Sequence, residues 1–334
     1  MNQSSSRKID IFSHILPPKY KDLLFKKSKP CYYLEADLAR PALFDLDVRF
    51  SVMDKFRGLQ QVLTVGAPPV EYAVSFDEAV ELAQIANDGL AELLDKYPER
   101  FVAAAASLPM GDIDAALIEA ERAIKELHLN GVQIFSSING KPLDRPEFMP
   151  LYKMMTDFDL PIWIHPARDV SSPDYPDEKE SLYELFVKIG WPYQTSLAMA
   201  RLVFAGVLEQ YPKLKFIVHH CGAMIPFFQQ RLATGGPAVG SGEIDTNISK
   251  PSLEYFKQFY ADTVISSTPA LECGYAFFGP DHLLFGSDYP YPGGAEKGDL
   301  ALGKMIESVE RMSVPEGIKQ KIFSKNAENL LHLS

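Results

Sequence analysis

One rhythm constrains this chain more than any other feature. Short apolar or β-branched runs alternate with segments whose apolar residues recur at helical spacing. The runs are Leu59–Val65, Phe101–Ser107, Gly131–Phe135, Pro161–His165, Lys215–His220, Phe259–Val264 and Leu283–Ser287, and Ile9–His14 makes eight. A run that is apolar at successive positions must be buried on both faces, which is the condition of a parallel strand covered by helices. Eight such runs in 334 residues, with no evident edge strand, predict a closed (β/α)8 barrel rather than a doubly wound sheet. One domain is expected over residues 1–334, since no internal repeat or low-complexity tract divides them.

The connecting segments carry signals of their own. Ser75 with Glu78 three residues on forms a capping box ahead of a long periodic stretch, and Pro98 stops it. Apolar stripes over Ala115–Leu127 and Ser196–Gln210 predict two more helices packed on the sheet. Lys19–Arg57 shows neither clean period and mixes aromatic with charged residues such as Tyr32, Tyr33 and Phe50. It is read as an excursion over the barrel mouth. The long loop from Arg168 to Gly190 also lacks a period.

Composition narrows the function classes. With 46% hydrophobic and 23% charged residues the chain has the make-up of a globular protein. A net charge of −11 without a Lys/Arg run repels phosphates, so nucleic acid is not an expected partner. No window approaches the roughly 18 uninterrupted apolar residues of a membrane span, and the polar start Met1–Lys8 does not read as a signal peptide. A soluble, cytoplasmic protein is expected. Cys31, Cys221 and Cys273 are an odd, scattered set without CxxC spacing, which argues for reduced cysteines rather than disulfides or structural zinc.

A barrel of this kind places its active site at the C-terminal ends of the strands, so a polar residue closing an apolar strand is informative. Four strands supply one: His14 ends Ile-Asp-Ile-Phe-Ser-His, His165 ends Pro-Ile-Trp-Ile-His, His219 and His220 end the sixth run, and Asp288 follows Leu-Phe-Gly-Ser. Alternation puts Asp10, Phe12 and His14 on one face, and Trp163 with His165. His219 and His220 are neighbours, so at most one is expected to face the interior, the other being a packed, hydrogen-bonded histidine. Imidazoles and a carboxylate converging on one mouth suit zinc or another divalent first-row metal, with a position left for water or substrate. His128, His282 and His332 receive no role, and Asp288 alone could merely cap a turn.

The order Ile-Asp-x-x-x-His-x-x-Pro, a strand-end His-Pro, Tyr-Pro-Lys-Leu-Lys running into a strand ending in His, and Phe-Gly-Ser-Asp-Tyr-Pro resembles the amidohydrolase superfamily. Within it the chain is similar to the amidohydrolase-2 branch, which contains aminocarboxymuconate-semialdehyde decarboxylase, γ-resorcylate decarboxylase and pyrone-dicarboxylate lactonase. The likeness includes Tyr97-Pro98-Glu99-Arg100-Phe101 and Asn326-Ala327-Glu328-Asn329-Leu330-Leu331. It implies that His14, His165 and Asp288 bind a divalent metal, zinc before manganese. It further implies that His220 is the catalytic histidine, that Asp288 shares the proton transfer, and that Arg168 and Arg231 hold a substrate carboxylate by a bidentate fork. Trp191 and Tyr193 stand where related decarboxylases place aromatic residues against the substrate. The family opens with His-x-His, and here Phe12, which cannot coordinate a metal, occupies the first of those positions and lines the site instead.

The reaction implied first is metal-dependent, non-oxidative decarboxylation of a small unsaturated or aromatic carboxylic acid by a lyase; a homodimer is expected only as the commonest assembly of soluble enzymes. Hydrolysis of a lactone, ester or amide by the same constellation is the second reading. A ligand-binding barrel with reduced catalysis, motivated by Phe12, is the third.

Overall fold

Each of the eight expected runs forms a parallel strand in a computed structural model, which describes residues 7–28, 31–233, 246–292 and 298–333, so the polar start up to residue 6 lies outside it. They are β1 (Lys8–His14), β2 (Leu59–Thr64), β3 (Phe101–Ala104, continued by Ala106–Ser107), β4 (Val132–Phe135), β5 (Ile162–His165), β6 (Phe216–Val218), β7 (Tyr260–Asp262) and β8 (Leu283–Leu284). Pairing follows chain order from β1 to β3 and from the second part of β3 to β8. The two parts of β3 join these ladders, because the Ala105 N–H donates to Leu63 O on one side and the Ala106 N–H to Gly131 O on the other, both at 2.9 Å. The circuit closes between β8 and β1, where the Ile11 N–H donates to Phe285 O (2.8 Å), the Asp288 N–H to Phe12 O (2.9 Å) and the His14 N–H to Tyr289 O (2.7 Å). Closure leaves none of these eight strands at an edge, and the fold is the expected (β/α)8 barrel.

Two apolar layers hold it. The smaller combines inward-facing strand residues Ile9, Ile11, Phe12, Val62, Ala103, Ala105, Trp163, Ile217 and Leu284 with Ala327, Leu330 and Leu331 of the C-terminal segment. The Trp163 indole N–H donates across this layer to Ile11 O at 3.0 Å, so the largest buried ring leaves no polar atom unsatisfied. A larger cluster, including Leu82, Ala86, Leu90, Ala116, Leu151 and Leu202, lies between strands and helices. Gly131 shows how tightly β4 meets β5: a Cβ there would sit 2.4 Å from Pro161 O and 2.6 Å from the Trp163 ring. Only glycine allows that approach.

Helix Phe76–Lys96 starts where the capping box predicts, with the Glu78 carboxylate accepting the Ser75 backbone N–H at 3.2 Å. The stripe over Ala115–Leu127 is helix Ile113–Lys125. The stripe over Ser196–Gln210 is two helices, Trp191–Phe204 and Val207–Gln210. They break at Gly206, whose φ of +79° and close approach to Asn247 exclude a side chain. Periodicity missed the break because both helices bury the same face.

The Lys19–Arg57 excursion folds as helices Pro18–Lys27, Tyr32–Leu38 and Leu46–Met53 with a 3-10 turn at Pro41–Leu43. Arg49 fastens it to the barrel. Its buried guanidinium donates to His14 O (2.8 Å), Ala42 O (3.0 Å), Ser13 Oγ (2.6 Å) and Gln61 Oε1 (2.9 Å). Burial lowers its pKa to about 10, and the filled set of acceptors makes a buried cation tolerable. Among the described residues no helix is long and apolar enough to cross a membrane. The three cysteines are free thiols.

Candidate metal centre

Strand ends converge as the barrel requires. His14 closes β1, His165 closes β5, His219 follows β6 by one residue and Asp288 follows β8, and each offers a ligand atom within 4.8 Å of the others. All four are buried. Each histidine has its Nδ1 engaged elsewhere: His14 with Thr64 Oγ1 at 2.9 Å, His165 with Pro166 O at 2.8 Å, and His219 with the Asp262 carboxylate. An Nδ1 held in this way fixes ring orientation and turns Nε2 toward the cluster. His14 Nε2 lies 3.0 Å and His219 Nε2 3.5 Å from Asp288 Oδ1, yet neither nitrogen has a hydrogen-bond partner. Buried polar atoms left in this condition are expensive unless something else satisfies them. Three imidazole nitrogens and a carboxylate are a donor set that fits a divalent cation.

The electrostatics agree with that fit. Although burial opposes it, the neighbouring His14 and His219 hold Asp288 far below the usual carboxylate range. Burial likewise disfavours a charged His219, but Asp262 and then Asp288 outweigh it and push the imidazole up to about 10. Two buried carboxylates therefore call for positive charge at this point. His165 is pushed well below its ordinary value by burial and then by the charges of His14 and His219.

Strand alternation failed at the sixth strand, and the reason is local. β6 ends at Val218, and His220 has a left-handed φ of +56°, so the two histidines do not point to opposite faces. Their rings lie 4.0 Å apart at the centroids. The cluster takes His219, expected above to be at most a packed neighbour if His220 faces the interior, and His220 is not among its four members. His220 lies beside it, 6.5 Å from the Trp191 ring, with a buried Nδ1 that has no partner. Burial, followed by the charge on His219, lowers its pKa to about 3.

Phe12 is fully buried and stacks on His219 at 4.1 Å, with the His14 and His165 rings at 5.6 and 6.0 Å. It is a wall of the site. Asp10 does not share the face of Phe12 and His14 as alternation expected: the register of β1 shifts between Asp10 and Ser13, and the Asp10 carboxylate accepts the Ser287 N–H (2.8 Å) and hydroxyl (2.5 Å). Trp191 lies 5.5 Å from the His165 ring, edge to face. Arg168 is placed differently from the expected clamp: its guanidinium donates to Asp174 Oδ1 and Pro173 O, both at 3.1 Å, while its carbonyl accepts the Tyr33 hydroxyl (2.7 Å) and the Trp191 indole (3.1 Å). Arg231 lies on the exposed surface of helix Gln229–Leu232, and Tyr193 is also exposed.

A cavity of about 240 Å³ opens on His165 and Asp288 and is walled by Trp191, Tyr291 and the excursion residues Tyr33, Asp37 and Arg40. A neighbouring cavity of about 430 Å³ shares Tyr33 and Ala67 with it and is bordered by Phe135 and Arg168. Thr64 and Asp262, which orient two of the histidines, were not singled out in the sequence, although both are polar strand ends and the same rule finds them. Asp37 and Tyr291 carried no such signal.

The model of the amidohydrolase family matches residues 9–333. A 2-amino-3-carboxymuconate-6-semialdehyde decarboxylase of Dictyostelium discoideum is 30% identical, with 98% of this chain and 92% of that protein covered. A γ-resorcylate decarboxylase of Polaromonas sp. is 30% identical over 88% and 90%. Among solved structures, dihydroxybenzoic acid decarboxylase of Polaromonas sp. JS666, with bound manganese and the inhibitor 2-nitroresorcinol, superposes with a TM-score of 0.77 at 26% identity, over 98% of this chain and 97% of that one. Manganese in that structure does not support the expectation that zinc comes first.

Proposed function

Because the chain belongs to the amidohydrolase family, we propose that it is a metal-dependent, non-oxidative decarboxylase of a small aromatic or unsaturated carboxylic acid. The observation that carries this reading is the set of three imidazoles with anchored Nδ1 atoms that meet Asp288 at the strand ends. That cluster opens on a cavity bordered by Trp191 and Tyr33. The curated relatives at 30% identity are decarboxylases, which favours loss of CO₂ over hydrolysis.

His14, His165, His219 and Asp288 would hold the cation, which supplies a positive charge to grip the carboxylate and a neighbouring oxygen. Manganese is the first ion to test because a related decarboxylase binds it. Zinc is the second. Decarboxylation breaks the bond between carbon and carboxylate, leaves its electron pair on carbon and requires a proton there. Asp288 touches both the cluster and the cavity, so it is assigned this transfer. Held ionised by His14 and His219, Asp288 would first have to take a proton from the substrate or from water and then pass it to that carbon. His220, neutral and with a free buried nitrogen, is assigned to hydrogen-bond the substrate. The planar ring of Trp191 walls the cavity and suits a flat acid, while Phe12, fully buried, backs the His219 ring.

The test is CO₂ release from a panel of hydroxybenzoates and carboxymuconate-like acids by protein loaded with Mn²⁺ or Zn²⁺. Turnover that depends on one of the ions is the expected result. Hydrolysis of a dicarboxylate lactone without CO₂ release, or full activity in a chelator, would overturn it.

A further inference from the structure

The larger of the two cavities carries a charge that no described residue answers. It holds about 430 Å³, and its aromatic walls are Tyr33, Tyr72 and Phe135. Glu71, in the short helix Val70–Ala73, lines it and is half-buried, so the carboxylate is presented to the cavity rather than sealed behind it. Among the described residues no cation pairs with that carboxylate, which only its own backbone N–H supports. Arg168 borders the same cavity, but its guanidinium is already engaged by Asp174 at 3.1 Å. Asp169 adds a second negative charge to the lining. The Asn139 side chain adjoins Glu71 over Gly111, where a Cβ would lie 3.4 Å from Glu71 Cβ and 3.6 Å from Asn139 Nδ2.

Apolar walls with a few polar groups are the make-up of a small-molecule site, and the charge balance selects what such a molecule brings. A carboxylate would meet Glu71 and Asp169 as like charges, with Arg168 already engaged. A hydroxyl could donate one hydrogen bond but would leave the charge uncompensated. A primary ammonium group supplies the opposite charge together with three N–H donors, and aromatic rings attract a cation. The Asn139 amide oxygen offers it a second acceptor.

We propose that this cavity is an ammonium-recognition site, with Glu71 as the counter-charge and Asn139 as a second acceptor. The cavity shares Tyr33 and Ala67 with the one that opens on His165 and Asp288. The ammonium group therefore belongs either to the acid held at the His14–His165–His219–Asp288 cluster or to a separate amine bound beside it, and both bring the same chemistry to Glu71. Binding of a simple amine requires neither turnover nor the decarboxylase reading, so the two stand or fall separately.

The Mn²⁺-loaded full chain is titrated calorimetrically with benzylammonium and with benzyl alcohol, which keeps the shape and drops the charge. Benzylammonium is expected to bind roughly tenfold or more tightly, the scale of one hydrogen bond between charged groups. Glu71→Gln, nearly isosteric, should reduce that gain to less than about threefold. A second readout reports the charge itself. Burial raises Glu71 to about 7, so at about pH 6 most of it is protonated in the free protein, and a bound ammonium group expels that proton. The heat of benzylammonium binding should therefore vary with the ionisation heat of the buffer in the parent, and much less in Glu71→Gln. Titration with 4-(aminomethyl)benzoate beside 4-methylbenzoate separates the two sources: a further gain of about tenfold over benzylammonium assigns both groups to one molecule, and equal affinity assigns the site to a separate amine. A gain under about threefold in the parent, or a gain that persists in folded Glu71→Gln, would overturn the proposal.

Discussion

At the strand ends, Thr64, Pro166 and Asp262 each take one nitrogen of a histidine, and the nitrogens left over face a common point. At the helical wall, Asp37 and Arg40 keep buried atoms with no partner. The first region is organised by the barrel itself, because neighbouring strands deliver His14 with Thr64 and His219 with Asp262, and the chain that leaves β5 holds His165. The second is organised by an insertion that needs only to pack. The strand-end site is thereby preorganised, while the wall carries buried polar atoms whose cost no protein partner offsets.

The sharpest way to break the comparison is at Asp288. Asp288→Asn keeps the volume, removes the anion that two imidazoles face, and should lower bound metal to a trace and CO₂ release by about a thousandfold or more. Metal analysis beside a rate measurement checks this, and retention of both would mean that Asp288 neither holds the metal nor transfers the proton.

The wall should reveal itself in stability. Burial raises Asp37 to about 7, against the hydrogen bond from Tyr291 and the charge of Arg40. A carboxyl whose folded pKa is raised contributes stability that is fully present below its unfolded pKa near 4 and is lost as pH rises through 7. Asp37→Asn should therefore flatten the fall in unfolding free energy between pH 4 and pH 8, by up to about 4 kcal/mol. Asp10 and Glu71, also raised to about 7 by burial, keep part of the slope in the variant. Denaturant unfolding at the two pH values measures the difference, and an unchanged slope would show that Asp37 ionises in the fold over the same pH range as in the unfolded chain.

Asp262 tests whether orientation matters at the strand ends. Asp262→Asn leaves His219 in place but weakens the hold on its Nδ1, and metal affinity should fall by about 10–100-fold. A change under about twofold would show that His219 is held by packing on Phe12 alone.

The smallest effect is expected at Phe12. Four donors are already present, and the ring is fully buried against His219. Phe12→His should change metal affinity by less than about threefold. A large gain would mean that His219 is a poor substitute for the histidine with which the family opens.

Much of this molecule is legible in its residues. Runs buried on both faces and separated by helical stripes could only become parallel strands wrapped by helices, and the polar residues that close them, His14, His165 and Asp288, fall at the mouth because a barrel collects strand ends there. The same rule, applied to every strand, reaches Thr64 and Asp262. The tertiary structure alone decided between His219 and His220: alternation ceases where β6 ends, and a left-handed turn at His220 brings both rings to one side. It alone paired Arg168 with Asp174 and brought Asp37 beside Tyr291, 254 residues away in the chain. Periodicity is a local property that burial imposes residue by residue. The partner of a charged side chain is set by how an aperiodic loop folds, as for Arg168 and Asp174, or by which distant segments pack together, as for Asp37 and Tyr291, and no periodic spacing encodes either.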